Sequence, residues 1–328
     1  FNHVTQSIRQ PGSSFKPFIY SAAIEKGITP TTVVNDAPLF FSAEETGSEA
    51  WEPQNYDDKF DGPLTVRRAL ALSKNMVSIR VLQVVGTQNA QKWVTRFGFE
   101  AAKHPPYLTM ALGAGSVNPL QMVVGYSVFA NGGHLVSPKL IRTIRDQRKR
   151  VLFQATDTTL DSSNQVISAR NAFMVGDLLN EVARSGTGAR AQRELKRPDL
   201  FGKTGTTNDS QDAWFVGYQP SRAAAVWVGY DNPRKLGSRE TGGGLSLPIW
   251  IDYMRVALEG TPIQMPVVPT GIFSSGGDWY FSDMGPDRSI RSLGMQDGTD
   301  GYGAINKETA PESERATERS TILNLFRN

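Results

Sequence analysis

The chain has 328 residues, 39% of them hydrophobic, enough to build the core of one large domain or two ordinary ones. Its 35 Lys and Arg nearly balance 32 Asp and Glu, so it lacks the concentrated positive field of a nucleic-acid binder. Cysteine is absent, which excludes thiol catalysis, disulfides and thiolate metal sites together, and the three histidines, His3, His104 and His134, are too scattered for a metal motif.

Phe15, Phe18, Ile19, Ala22 and Ala23 recur at helical spacing in FKPFIYSAAIEK, which predicts a helix that starts near Ser13 and stops at Gly27. Pro17 fits only a first turn, and Gly12 lets the chain turn sharply into it. Residues 63–72 and 76–86 read as two apolar helices that display Ser73-Lys74-Asn75 on a loop between them. Another helix covers 88–97, and Asn118-Pro119 caps one running to about Ala130 before an NGG breaker. A hairpin is predicted over 139–155, with the basic run Arg142 to Arg150 as a solvated turn.

A further helix spans 168–184 and ends at SGTG. Three antiparallel strands follow in FGKTGTT, DAWFVGYQ and RAAAVWVGYD, then an amphipathic helix from Pro248. Arg239–Gly244 reads as a flexible loop beside the strands. From about Thr261 the chain turns rich in Pro, Gly, Ser and charge, and most of 271–328 is expected to be irregular, the apolar ILNLF excepted. Its apolar runs fall well short of the ~20 residues of a membrane span.

Gly202-Lys203-Thr204 has the look of a phosphate-binding loop, but such a loop needs glycine at 197, where this chain has arginine, and a helix opening at the lysine. TGTTNDSQ and then an alternating strand follow instead. A different lysine chemistry fits better. Ser13 and Lys16, three apart at a helix start, share one face, so an amine can take the hydroxyl proton. With a reference pKa near 10.4, only about 1 lysine in 2,500 is neutral at pH 7, a cost of roughly 4.6 kcal/mol. Burial and a second cation lower that cost, and Lys203 is the candidate cation.

A lone Ser-x-x-Lys is expected about once by chance. Its order with Ser73-Lys74-Asn75 and Lys203-Thr204-Gly205 is more specific, since these three motifs mark serine acyltransferases that handle β-lactams. Other Ser-x-Asn triplets have simpler uses: Asn118 as a helix cap and 162–164 as a polar loop. Arg184-Ser185-Gly186, an imitation of the last motif, sits at a helix end.

RQPGSSFKPFIYSAA, WEPQNY, RALALSKNMVSIR, VARSGTGA and GKTGTTNDSQDAWFVGY resemble class A penicillin-binding proteins, over about residues 1–258. The resemblance implies an α/β (α+β) transpeptidase fold, an antiparallel sheet packed between helices with a helical subdomain across a cleft. It implies a penicillin-binding domain over 1–260 and a C-terminal extension over 261–328. In such proteins sheet strands precede the nucleophile helix, whereas only twelve residues precede Ser13 here. The resemblance therefore implies that first strands, a glycosyltransferase domain and a membrane anchor belong to a longer chain at the periplasmic face of the inner membrane.

By the same resemblance Ser13 is the nucleophile that attacks D-Ala-D-Ala of a peptidoglycan stem peptide, and an amine of a second stem peptide resolves the acyl-enzyme. Lys16 is the base, Ser73 relays the proton, Lys203 holds Ser73 and tunes the field, and Asn75 binds the donor peptide. The amides of Ser13 and Thr206 form the oxyanion hole, and Thr204, Gly205 and Thr206 bind substrate, the two threonine hydroxyls taking its carboxylate. β-Lactams acylate Ser13 as mimics, and no cofactor or metal takes part. Glu181 is expected on a helix surface, which leaves no deacylating base and implies a long-lived adduct. Trp51 is expected to pack, Asn55 and Tyr56 to line the cleft, and Trp214 and Phe215 to lie in the core. The alternatives are a D,D-carboxypeptidase, with water as acceptor, and a β-lactam sensor domain; a triad esterase is excluded by the missing GxSxG elbow.

Overall fold

The computed structural model describes residues 1–46, 49–207, 210–237 and 240–295. ILNLF lies outside them. After a short helix, α1 (His3–Gln6), a 3-10 turn over Gly12–Phe15 runs directly into α2 (Lys16–Ile24), with Pro17 in its first turn. Every residue of α2 is buried. A helix without a polar face belongs at the centre of a molecule, and Phe15, Phe18, Phe97, Phe99 and Phe129 pack around this one edge-to-face and stacked. Lys16 is part of that helix, so the same burial removes its amine from water.

A first small sheet forms from β1 (Val33–Asp36) and, after α3 (Ala43–Thr46), β2 (Gly62–Thr65), paired antiparallel. The expected helix over 63–72 is thus shorter. Its first residues are strand, and α4 (Val66–Leu72) begins only after Thr65, whose hydroxyl accepts from Arg68 N. α5 (Asn75–Val85), α6 (Thr87–Val94) with a 3-10 turn to Phe97, and α7 (Pro119–Ala130) follow as expected. Asn118 closes a capping box with Gln121, which satisfies two amides that a helix start otherwise leaves open. The hairpin is β3 (Thr143–Arg145) and β4 (Val151–Gln154), and it projects with its apolar and basic side chains exposed.

Next come α8 (Ala169–Ser185), α9 (Arg190–Leu195) and the sheet β5 (Phe201–Thr206), β6 (Asp212–Gln219) and β7 (Arg222–Gly229), antiparallel in that order. The register sets Lys203 opposite Val216 and Gly205 opposite Trp214. Residues of β6 alternate between two cores, as period-2 geometry requires. Trp214, Val216 and Tyr218 join the large core with α2, α5 and α8, whereas Phe215 packs with Trp250, Ile251 and Met254 of α10 (Leu247–Ala257). The sheet is therefore packed between helices, as expected. The glycine stretch of the expected loop is in fact wound: Gly242–Ser246 form a π-helical turn leading into α10.

Within 271–295, the described part of the segment expected to be mostly irregular, three short strands form. β8 (Ile272–Ser275) and β9 (Asp278–Phe281) form a hairpin turning at Gly276-Gly277, both with positive φ. β10 (Ser292–Leu293) pairs parallel with β1. Phe281 is 3% exposed in the large core, and Arg67 of α4 bridges Asp177 of α8 to Asp278 of the hairpin. High glycine and serine content hid a hairpin whose residues are held by tertiary contacts.

Candidate active site

Ser13 is half-buried in the 3-10 turn before α2. That turn is fixed by donors from three directions: Ser14 Oγ to Pro11 O at 2.7 Å, Tyr126 OH to Ser14 O at 2.6 Å and Trp214 Nε1 to Gln10 O at 2.9 Å. β5 lies directly against it. A Cβ added to Gly12, which has φ +54, would sit 2.6 Å from Thr206 O and 3.2 Å from Thr206 N; one on Gly205 would collide with Pro11 O and come within 2.9 Å of Ser14 Oγ. Glycine at both positions is what lets the strand edge touch the nucleophile turn, bringing the amide of Thr206 beside the turn that carries Ser13.

Lys16 reaches the turn between α4 and α5. Its Nζ donates to Ser73 O at 2.7 Å and Asn75 Oδ1 at 2.8 Å, with Ser73 Oγ and Lys74 O each at 3.4 Å. Ser73 adopts a left-handed conformation, φ 62 and ψ 34, which only a few per cent of non-glycine residues do. The third motif meets the same hydroxyl: Lys203 Nζ donates to Ser73 Oγ at 2.7 Å and to Thr204 O at 3.2 Å. Both lysines are fully buried. Burial holds Lys16 well below the usual lysine range, aided by the field of Lys203 and opposed by Asp36. Burial alone pushes Lys203 down to about 7. Two desolvated amines thus flank a single hydroxyl.

Thr204 Oγ1 lies 2.7 Å from Thr187 Oγ1, and Thr206 Oγ1 accepts from Gly242 N at 3.1 Å. The structure therefore brings Ser13, Lys16, Ser73, Asn75, Lys203, Thr204, Gly205 and Thr206 into one locality, made by a helix, an interhelical turn and a strand edge. Thr187 was not singled out in the sequence, though it stands in the SGTG segment. It projects from the turn after α8, where its amide donates to Ala71 O at 3.0 Å.

Three expectations need correction. The Ser73–Asn75 turn is clamped rather than displayed, with Lys74 only 3% exposed, because its polar groups face polar partners instead of water. Asn55 does not line the cleft through an exposed side chain. It is 3% exposed, and its Oδ1 accepts Asn75 N at 2.7 Å, while Gln54 O accepts Asn75 Nδ2 at 2.8 Å. Glu181 is not a surface residue: it is 9% exposed and bonded to Ser185 and Arg184. The packing expectations for Trp51, stacked on Phe41, and for Trp214 and Phe215, both fully buried, agree with the structure.

Half-buried Ser13 before buried Lys16, a Ser-x-Asn turn and a Lys-Thr-Gly strand edge, gathered around the Ser73 hydroxyl, define a serine acyltransferase site. The chain belongs to the penicillin binding protein transpeptidase domain family, whose profile matches residues 1–254. Among curated proteins it is 45% identical over 284 residues to penicillin-binding protein 1A of Neisseria flavescens, covering 86% of this chain and 36% of that protein. Penicillin-binding protein 1A of Pseudomonas aeruginosa is 41% identical, with 84% of this chain and 39% of that protein covered. The chain thus spans well under half the length of these relatives. Among solved structures, penicillin-binding protein 1A of Haemophilus influenzae aligns with a TM-score of 0.81 at 34% identity, covering 88% of this chain and 50% of that one. The PonA1 protein of Mycobacterium tuberculosis in complex with penicillin V aligns at 0.69 and 27% identity, with 82% and 74% covered.

Proposed function

We propose that this chain is the transpeptidase part of a penicillin-binding protein 1A, cross-linking peptidoglycan stem peptides through an acyl-enzyme on Ser13. The observation that carries this reading is the convergence of buried Lys16 and Lys203 on the Ser73 hydroxyl. Lys16, neutral because it is desolvated beside a second cation, takes the Ser13 proton as Oγ attacks the carbonyl between the two terminal D-alanines. The oxyanion lies against the amides of Ser13 and Thr206, each such donor typically contributing about 2.7–4 kcal/mol in the transition state. Lys203 holds Ser73 so that its hydroxyl passes the proton on to the departing D-Ala amine. Asn75 binds the donor peptide, and Thr204 and Thr206, on either side of Gly205, offer hydroxyls to its carboxylate.

An amine of a neighbouring stem peptide then attacks the ester; Lys16 takes its proton and returns it to Ser13 Oγ as the ester bond breaks. β-Lactams enter the first step as mimics. Glu181 is engaged by Ser185 and Arg184 and is not available to activate water, which supports a persistent adduct. The catalytic groups lie within residues 1–260, and of the C-terminal extension, 261–328, the described residues pack back onto them through Phe281 and β10. The whole protein carries a glycosyltransferase and is anchored at the periplasmic face of the inner membrane by a segment outside this chain.

The test is covalent labelling of the full-length protein with fluorescent penicillin. Label on the wild type that disappears in Ser13→Ala supports the assignment; label that persists on the variant sinks it. Supplying lipid-linked pentapeptide and weighing the products separates cross-linking from D,D-carboxypeptidase action, because only dimers report an amine acceptor.

A further inference from the structure

We propose that Asp36 positions the Ser73–Asn75 turn for acylation, acting through Asn55 and Lys74. The inference rests on the reading of Ser13 and Lys16 as the acylating pair. Asp36 ends β1 and is 0% exposed. A buried carboxylate is costly unless donors surround it, and here they do. Asn55 Nδ2 donates to both of its oxygens at 2.9 and 3.0 Å, Asp61 N donates to Oδ2 at 3.0 Å, and Lys74 Nζ stands 3.5 Å from Oδ2.

From Asp36 the contacts run to the reacting groups without a break. Asn55, its amide group pinned by Asp36, accepts Asn75 N at 2.7 Å, and Asn75 Oδ1 accepts Lys16 Nζ at 2.8 Å. Lys74, the residue between Ser73 and Asn75, is tied to the same carboxylate and to Asp57 at 3.2 Å and Asp61 at 2.9 Å. The side chains of Asp57 and Asp61 are 51% and 39% exposed, so water can replace them; that of Asp36 is sealed. Removing Asp36 leaves the Asn55 amide held on its Nδ2 side by Lys59 O alone, at 2.7 Å, and leaves Lys74 without its one sealed carboxylate. The strand is itself immobilised: β2 and β10 flank it, and Arg80 Nε donates to Asn35 O at 2.9 Å.

The charged and titratable groups facing this pair are Lys74, Asp57 and Asp61 around Asp36, Tyr20 on α2, and Lys203 on β5 beside Lys16. The negative field of Asp36 favours the ammonium form of Lys16. Its removal therefore lets the free amine persist to lower pH, a change that loss of packing alone does not produce.

The experiment measures the rate of fluorescent-penicillin acylation from pH 5 to 9 in the full-length protein. Its variants are Asp36→Asn, Asp36→Ala, Asn55→Ala and the Asp36→Asn/Asn55→Ala double, with melting curves for each. Asp36→Ala is expected to slow acylation by about 100-fold in protein that still melts cooperatively, the scale of a small misplacement of reacting groups. Asp36→Asn should move the acid limb to lower pH, and the double variant should be no slower than its slower parent, since both changes break one chain of contacts. Wild-type rates and an unmoved limb in the Asp36 variants overturn the proposal. So do losses that multiply in the double variant without movement of the limb. A wild type that takes no label at Ser13 instead overturns the underlying reading of the acylating pair.

Discussion

Lys16 and Lys203, 187 positions apart in the chain, meet at one hydroxyl: Ser73 Oγ lies 2.7 Å from Lys203 Nζ and 3.4 Å from Lys16 Nζ. Lys203 lowers the pKa of Lys16 by repulsion, second to burial. Lys203→Met removes that repulsion, so Lys16 holds its proton to higher pH and the acid limb of acylation moves upward. Lys16→Met removes the base itself and is expected to cost about 10²- to 10⁴-fold in the acylation rate. Stopped-flow acylation across pH checks both, and a Lys203→Met profile superimposable on wild type would refute the coupling.

Gly205→Ala inserts a methyl group into the contact between β5 and the nucleophile turn, where Pro11 O and Ser14 already sit. The strand must lift away. Overpacking of this kind costs typically about 1–3 kcal/mol, read from the denaturation midpoint, and acylation should fall by more than the loss of folded protein accounts for. Gly260→Ala is a control: no atom lies within 4 Å of its added Cβ, though its φ of +70 carries some backbone strain.

Thr187→Val breaks the 2.7 Å bond that orients the Thr204 hydroxyl but leaves the two lysines and Ser73 untouched. Its effect should fall on binding. The half-saturating penicillin concentration is expected to rise about tenfold, equivalent to roughly 1.4 kcal/mol, with the limiting acylation rate changed little. Loss in the limiting rate alone would argue against a substrate-binding role.

His104 is 1% exposed, stacks on Phe15 at 4.7 Å between centroids, and has no hydrogen-bond partner on either ring nitrogen among the described residues. Burial pushes its pKa down from 6.5 to about 4. The unfolded chain therefore takes up this proton first as pH falls, and native stability is lost between about pH 6.5 and 4, by on the order of 3 kcal/mol. In His104→Phe the slope of unfolding free energy against pH should flatten in that window, as urea titrations at several pH values will report.

Helices and the three-stranded sheet were legible because their signals are local: apolar spacing for α5 and α8, the Asn118-Pro119 cap for α7, alternation for β6. The three motifs carried the core of the site for a related reason, since each is contiguous in sequence. What stayed hidden was pairwise and distant. Asp36 is one of many acids until the fold sets it against Asn55, nineteen residues on, and Lys74 reads as a solvated loop residue until three carboxylates close on it. The strands β1, β2 and β10 are too short for periodicity to register, and β10 exists only as a partner to β1.

That partnership has a consequence for synthesis. Val33 N donates to Arg291 O and Thr32 Oγ1 to Ile290 O, so the β1 sheet is completed by chain that leaves the ribosome 258 residues later. All three motifs are made before it. Because β1 ends in the carboxylate that anchors the second motif, a nascent chain that already carries its nucleophile still waits for residues 290–293 to arrive.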